Sequence, residues 1–242
     1  MSDCSPYRWM ARSKKEKASR PRSHLSSQLT FPYSMRDGHR AGRPEKPGAK
    51  LRHVAREELD GRCPVHVVLR LVDGLPSLRK RTPFGVLRGC FAMANGRFGL
   101  RLVHYSVQGN HLHLMVEAED RRALWRGMQG LTVRMARGLN KLWGRKGKVF
   151  SDRYFGRALK TPLEVKRTLA YVFHNGRKHG VHLAPGIDPY CSGRWFEGWK
   201  GRGTRPGDSP ASGSLPPPLM PARTWLLRVG WLRHGLLSIH AA

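Results

Sequence analysis

The sequence predicts an α+β fold, and three observations carry that expectation. Short β-branched runs bounded by Gly, Asn and Asp read as strands. Longer stretches with apolar residues three or four apart read as helices. Their order along the chain is β-α-β-β-α-β, followed by one more helix.

The first strand is Val65 to Val72, which is β-branched and short, and Asp73-Gly-Leu-Pro76 turns the chain after it. From Arg79 to Asn95, Phe84, Val86, Leu87, Cys90, Phe91 and Ala94 recur at helical spacing, and Asn95-Gly96 closes the element. Phe98 to Gln108 and His111 to Ala118 are strand-like runs joined through Gln108-Gly-Asn110, a hairpin-type connection. Asp120 to Trp143 is a long helix with Leu124, Met128, Leu131, Met135, Leu139 and Leu142 on its apolar stripe. A fourth strand is expected around Tyr154 to Leu159. Thr161-Pro162-Leu163-Glu164 then starts a helix that ends near Gly180: a capping Thr, a Pro at the first helical position, and a Glu where a capping box needs its carboxylate.

This order is that of a ferredoxin-like split βαβ, RRM-like, with an antiparallel sheet and helices on one face. Such a plan hosts many functions, so function has to be read from a site. Around the folded region, residues 61–182, composition sets apart two flanks. Residues 1–60 form a disordered, basic arm rich in Arg, Lys, Ser, Pro and Gly. Residues 183–242 form a Pro/Gly-rich C-terminal extension, with a linker at 199–223 and a short amphipathic segment at 224–240.

Charge names a class of partner. The chain carries 45 Lys and Arg against 16 Asp and Glu, a formal +29 whose self-repulsion opposes compaction unless a polyanion relieves it. Nucleic acid is therefore the expected partner. Other classes fall away. Cys4, Cys63, Cys90 and Cys191 are scattered without a C-x-x-C pair, which fits a reducing cytosol rather than a zinc ribbon or a disulfide framework. The N-terminus has no apolar core of a secretory signal, and no run of about 18 apolar residues exists. The expectation is a cytoplasmic, nucleoid-associated protein with no membrane partner; monomer and homodimer both stay open.

Chemistry concentrates in two places. His111-Leu112-His113 lies in the third strand, where residues two apart share a face, so both imidazoles point the same way and could hold one divalent cation. Two structural histidines would give the same pattern. Tyr171 and Asn175 stand four apart on the last helix and also share a face. Two imidazoles and an amide oxygen suit Mg²⁺ or Mn²⁺ polarising a phosphate. A phenol keeps its proton at neutral pH and attacks poorly unaided, but such a cation makes attack on phosphorus feasible. Tyr171 equally reads as a half-buried helix tyrosine. No spacing pairs His66 or His104 with another ligand, so both read as structural. Tyr105 and Tyr154 read as core, with base stacking as the alternative. Arg134, Arg137, Lys141, Arg145, Lys146, Lys148 and Arg153 form a candidate DNA-binding track; a solvated face is the other reading.

The strand-borne His111-Leu-His113, preceded by Val107-Gln-Gly-Asn110, resembles the HUH motif of single-tyrosine transposases. Tyr171-Val-Phe-His-Asn175-Gly-Arg-Lys-His-Gly180 resembles the tyrosine helix of their REP-associated branch, and Phe150-Ser-Asp-Arg-Tyr154 is similar to the segment that precedes it. The resemblance runs from about Pro64 to Gly180, with Gly176 where that branch usually has Pro. It implies His111, His113 and Asn175 as metal ligands and Tyr171 as the nucleophile. The implied activity is a metal-dependent endonuclease and strand transferase acting on single-stranded or hairpin DNA through a 5′-phosphotyrosine link. A non-catalytic nucleic-acid-binding protein of the same fold is the alternative, and a basic chromosomal or ribosomal accessory protein is a third.

Overall fold

The computed structural model describes residues 59–178, 186–201 and 218–239, all within one compact unit, Val54–Ala242. The basic arm expected over residues 1–60 lies outside the described residues except for Leu59 and Asp60, as do the C-terminal end of the tyrosine motif and most of the 199–223 linker.

Four strands, β1 (Val65–Arg70), β2 (Arg101–Val107), β3 (His111–Glu117) and β4 (Phe155–Ala158), form one antiparallel sheet in the order β2-β3-β1-β4. Helix α1 (Arg81–Ala94) connects β1 to β2, α2 (Arg121–Leu142) connects β3 to β4, and α3 (Pro162–Lys178) follows. This is the split βαβ order expected from the sequence.

Strand alternation divides the side chains between two faces. On one face Val65, Val67, Leu69, Leu102, Tyr105, Leu112, Leu114 and Val116 are buried against Leu87, Phe91, Met128, Leu131 and Met135 of α1 and α2. Complete burial of one such side chain is worth about 1.5–3 kcal/mol. On the other face α3 packs mainly on the β2–β3 half, where Val165, Leu169, Val172 and Phe173 close on Val103 and Met115, and its Tyr171 reaches His66 of β1.

Local chemistry fixes the helix starts. The Asp120 carboxylate accepts the Ala123 amide at 2.6 Å and caps α2. Thr161 Oγ1 accepts the Glu164 amide, and Glu164 Oε2 accepts the Thr161 amide, both at 3.2 Å, so the capping box forms. The second strand begins later than its sequence suggests. Gly96, Phe98 and Gly99 all have positive φ (74°, 55° and 75°), and Arg97–Gly99 make a single 3₁₀ turn before Arg101. Tyr105 (0% exposed) and Tyr154 (8%) belong to the first core, which excludes them as base-stacking surfaces.

The C-terminal extension is part of the fold. The Val107 amide donates to Tyr190 O, Ser106 and Cys191 form a β-bridge, and the Arg79 guanidinium pairs with the buried Asp188 at 2.7 Å. Residues 218–223, linker by composition, lie along β2. Asn95 Nδ2 and Arg101 Nη2 donate to Pro218 O and Pro221 O, and the Met220 amide donates to Leu102 O. Glu117, buried at the end of β3, accepts the amides of Arg223 and Thr224 and the Thr224 hydroxyl. This anchors the one-turn helix α4 (Trp225–Arg228), whose Leu226 and Leu227, with Trp231 and Leu237 after it, complete the second core. Among the described residues, Cys63, Cys90 and Cys191 are free thiols, and no helix is long and apolar enough to cross a membrane.

Candidate active site

The site forms on the second face of the sheet, where the cover of α3 stops. His111 and His113 project from β3 on the side opposite Leu112 and Leu114, and their rings meet edge to face with centroids 4.9 Å apart. The hairpin before them is pinned from both sides. Asn110 O accepts the Leu71 amide and Gly109 O accepts the Leu78 amide, each at 2.8 Å, while the Gln108 amide donates to His111 O. Asn110 Oδ1 lies 2.9 Å from His111 Nδ1. An amide oxygen only accepts, so in this contact the imidazole Nδ1 is the donor.

Helix α3 brings Tyr171 over this pair. Its ring stands edge-on to His113 with centroids 5.2 Å apart, at an interplanar angle of 88°. Asn175, one turn further along the same helix face, is fully buried. Neither its Oδ1 nor its Nδ2 meets a hydrogen-bond partner among the described residues. Leaving a buried amide group unpaired costs about 1–3 kcal/mol, a cost that an ordered water or a bound ion offsets.

The structure adds a residue that spacing alone does not single out. His66 Nε2 lies 3.1 Å from His113 Nδ1, the two rings stack at 5.2 Å, and His66 also faces Tyr171 at 6.1 Å. His66 thus contacts a candidate ligand, a juxtaposition that no local spacing records. Burial, and secondarily the charge of Arg157, push its pKa down to about 4, so the imidazole is neutral at pH 7. His104 remains structural. It sits edge-on to Phe173 and Phe196 within the second core, and burial lowers its pKa to about 3.

Positive charge frames the cluster through strand register. Arg70 pairs with His111 across β1 and β3, and Arg157 pairs with His66 across β1 and β4. Arg157 also binds Glu164 Oε1 at 2.6 Å, which ties β4 to the first turn of α3. The expected DNA-binding track divides. Arg134, Arg137 and Lys141 are on α2, which packs on the face away from the histidines. Lys146, Lys148 and Arg153 lie in the connection to β4, which touches the end of β1 where the Ser151 amide donates to Arg70 O. Arg145 is turned inward, donating to Asn140 Oδ1 at 3.0 Å and to Lys148 O, and so holds the loop.

Among the described residues, no group of three or more His, Cys, Asp or Glu side chains could hold a metal ion. His111 and His113 share one strand face, and Asn175 stands one turn from Tyr171 on α3. A cavity of about 720 Å³ opens at the other end of the strands, beside Arg101, Glu117 and Lys160. The hydrogen bonds of Glu117 to the start of α4 give that end a structural role.

No family model matches the chain, and a comparison with curated proteins finds no match. Two of the solved structures that resemble parts of it are transposases. A REP-associated tyrosine transposase bound to a REP hairpin is 16% identical, with a TM-score of 0.46 over 58% of this chain and 82% of that one. A candidate transposase from Deinococcus radiodurans R1 is 15% identical, with a TM-score of 0.36 over 56% of this chain and the whole of that one.

Proposed function

We propose that the protein is a metal-dependent single-strand DNA endonuclease and strand transferase of the single-tyrosine transposase kind, with Tyr171 as its nucleophile. One observation carries the reading: the fold brings the His-x-His strand and the tyrosine helix, 58 residues apart in sequence, into ring contact at 5.2 Å. The orphan amide of Asn175 stands one turn from Tyr171 and supports the same assignment.

In this reading His111 and His113, each through Nε2, and Asn175, through Oδ1, would hold Mg²⁺ or Mn²⁺. When bound, the cation would withdraw charge from the scissile phosphate. Tyr171 Oη would attack phosphorus, forming the 5′-phosphotyrosine bond, as the P–O3′ bond breaks. The phenol gives up its proton and the departing O3′ gains one, leaving a 3′-hydroxyl. Because the phosphodiester is exchanged rather than hydrolysed, a second 3′-hydroxyl can reverse the step without ATP. Arg70 and Arg157 would offset phosphate charge on either side of the histidines. Hairpin DNA of the REP type is the substrate class that the tyrosine-helix resemblance favours.

The test is an adduct assay: labelled single-stranded hairpin DNA, Mn²⁺, and a search for SDS-resistant protein–DNA species. Wild type is expected to form the adduct, and Tyr171→Phe to lower its yield on the order of 10³-fold or more. His111→Ala should abolish cleavage yet keep most of the salt-sensitive DNA binding. An adduct that survives Tyr171→Phe undiminished removes the nucleophile assignment and leaves a nucleic-acid-binding protein.

A further inference from the structure

One large apolar side chain sits where burial cannot explain it. Phe155 is 65% exposed, the highest value among the exposed large hydrophobics of the described residues, and none of the others lies on a strand. Register fixes the side it faces. Phe155 pairs with Val68, which pairs in turn with His113. The neighbouring Gly156 points to the first core, since a Cβ there would meet the Tyr154 ring at 3.1 Å and Val65 at 3.6 Å. Alternation then puts Phe155 and Arg157 on the histidine face. With strands about 4.8 Å apart, Phe155 lies roughly 10 Å across the sheet from His113, about the reach of a nucleotide from phosphate to base.

Its surroundings are polar and cationic. Arg157 follows on the same strand face, and Arg70 lies two residues beyond Val68 on the same face of β1. The acid described beside them, Glu164, is engaged by Arg157 and by the backbone amides of Lys160 and Thr161. A bare phenyl ring between guanidinium groups, on an edge strand, suits a flat, π-faced group attached to a polyanion. A protein partner would instead call for a wider apolar patch.

We propose that Phe155, flanked by Arg70 and Arg157, is the stacking platform for the nucleobase adjoining the phosphate that Tyr171 attacks. The inference rests on the strand-transferase reading for the identity of that phosphate, but its readout is binding and not cleavage. The platform selects for unstacked DNA, because a base within a duplex has no free face to offer.

Affinity for a fluorescent single-stranded oligonucleotide and for a blunt duplex of the same length is measured in EDTA. Phe155→Ala is expected to weaken single-strand binding about 5- to 150-fold, the loss of one base–aromatic stack, and duplex binding less than about twofold. Phe155→Trp should restore it. In a scan of singly abasic oligonucleotides, one position should weaken wild type and leave Phe155→Ala unaffected, which identifies the stacked base by its coupling to the ring. Single-strand affinity unchanged by Phe155→Ala, or an equal loss on duplex, overturns the platform. The adduct assay separates this from the chemistry. Tyr171-dependent adduct with no Phe155 effect on binding defeats the platform alone. A Phe155-dependent stack with adduct that ignores Tyr171 defeats the transferase reading and the placement of the base beside it.

Discussion

The two faces of the sheet are built for different ends. One is apolar in every alternate position of β1 and β3, from Val65 to Leu71 and from Leu112 to Val116, and α1 and α2 cover it. The other is covered mainly along β2 and β3, while β1 and β4 present His66, Arg70, Phe155 and Arg157 beside the edge of α3. The first face holds the molecule together. The second carries a second, smaller core and, beside it, the buried Asn175 amide, the stacked His66 and His113 imidazoles and the exposed Phe155 ring. The candidate residues lie at the boundary between the covered and open halves of that face, where Tyr171 of α3 meets His113 and His66.

Two neighbours in sequence provide the strongest test of this division. Leu114 is fully buried under the helices, and His113 is on the opposite side of the same strand. Leu114→Ala should cost about 2–5 kcal/mol in denaturant unfolding, through lost transfer energy and the cavity left behind. His113 is itself buried (3% exposed), so His113→Ala, which removes its hydrogen bond with His66, should cost about 1–3 kcal/mol, while abolishing Mn²⁺-dependent cleavage. Mn²⁺-dependent cleavage that survives His113→Ala would break the comparison, because His113 would then only pack.

Sequence alone accounted for the order of the elements and the capping box of α3, and it put His111 with His113 and Tyr171 with Asn175 on shared faces, because all of these depend on local spacing. What it left out depends on register between distant strands. His66 meets His113 across 47 residues, and the pairing of Val68 with both His113 and Phe155 brings a phenyl ring to the same face. No local spacing records such a pairing. Composition also misleads where one residue anchors an irregular segment. The Pro-rich stretch around residue 218 reads as linker, yet the side-chain amide of Asn95, the Leu102 carbonyl of β2 and the Glu117 carboxylate at the end of β3 fasten it. Helical periodicity likewise gives the α2 basic residues a common element without saying which side of the sheet that element covers.

His66 sharpens the comparison further, since it is on the open half of the face and yet partly buried. A cation on His113 Nε2 requires Nδ1 to hold its proton, and the neutral His66 Nε2 is placed at 3.1 Å to accept it. His66→Ala is therefore expected to weaken Mn²⁺ binding about 10–100-fold, with DNA affinity in EDTA unchanged. Mn²⁺ titration followed by electron paramagnetic resonance measures the first and fluorescence anisotropy the second. Unchanged Mn²⁺ affinity would return His66 to a packing role.

The smallest effect concerns the charges. Arg137 and Arg70 are both exposed, one on α2 and the other beside His111 on the histidine face. If single-stranded DNA runs only across the open half of that face, removing Arg70 deletes a phosphate contact and removing Arg137 deletes none. The salt dependence of binding distinguishes the two, because each lost contact on a single strand lowers the slope of log K against log salt by about 0.7. Arg70→Gln should lower it by about that amount, and Arg137→Gln should leave it unchanged. The reverse result would put the DNA along α2, on the far side of the sheet from Tyr171, and a strand bound there could not present its phosphate to the tyrosine without crossing an edge of the sheet.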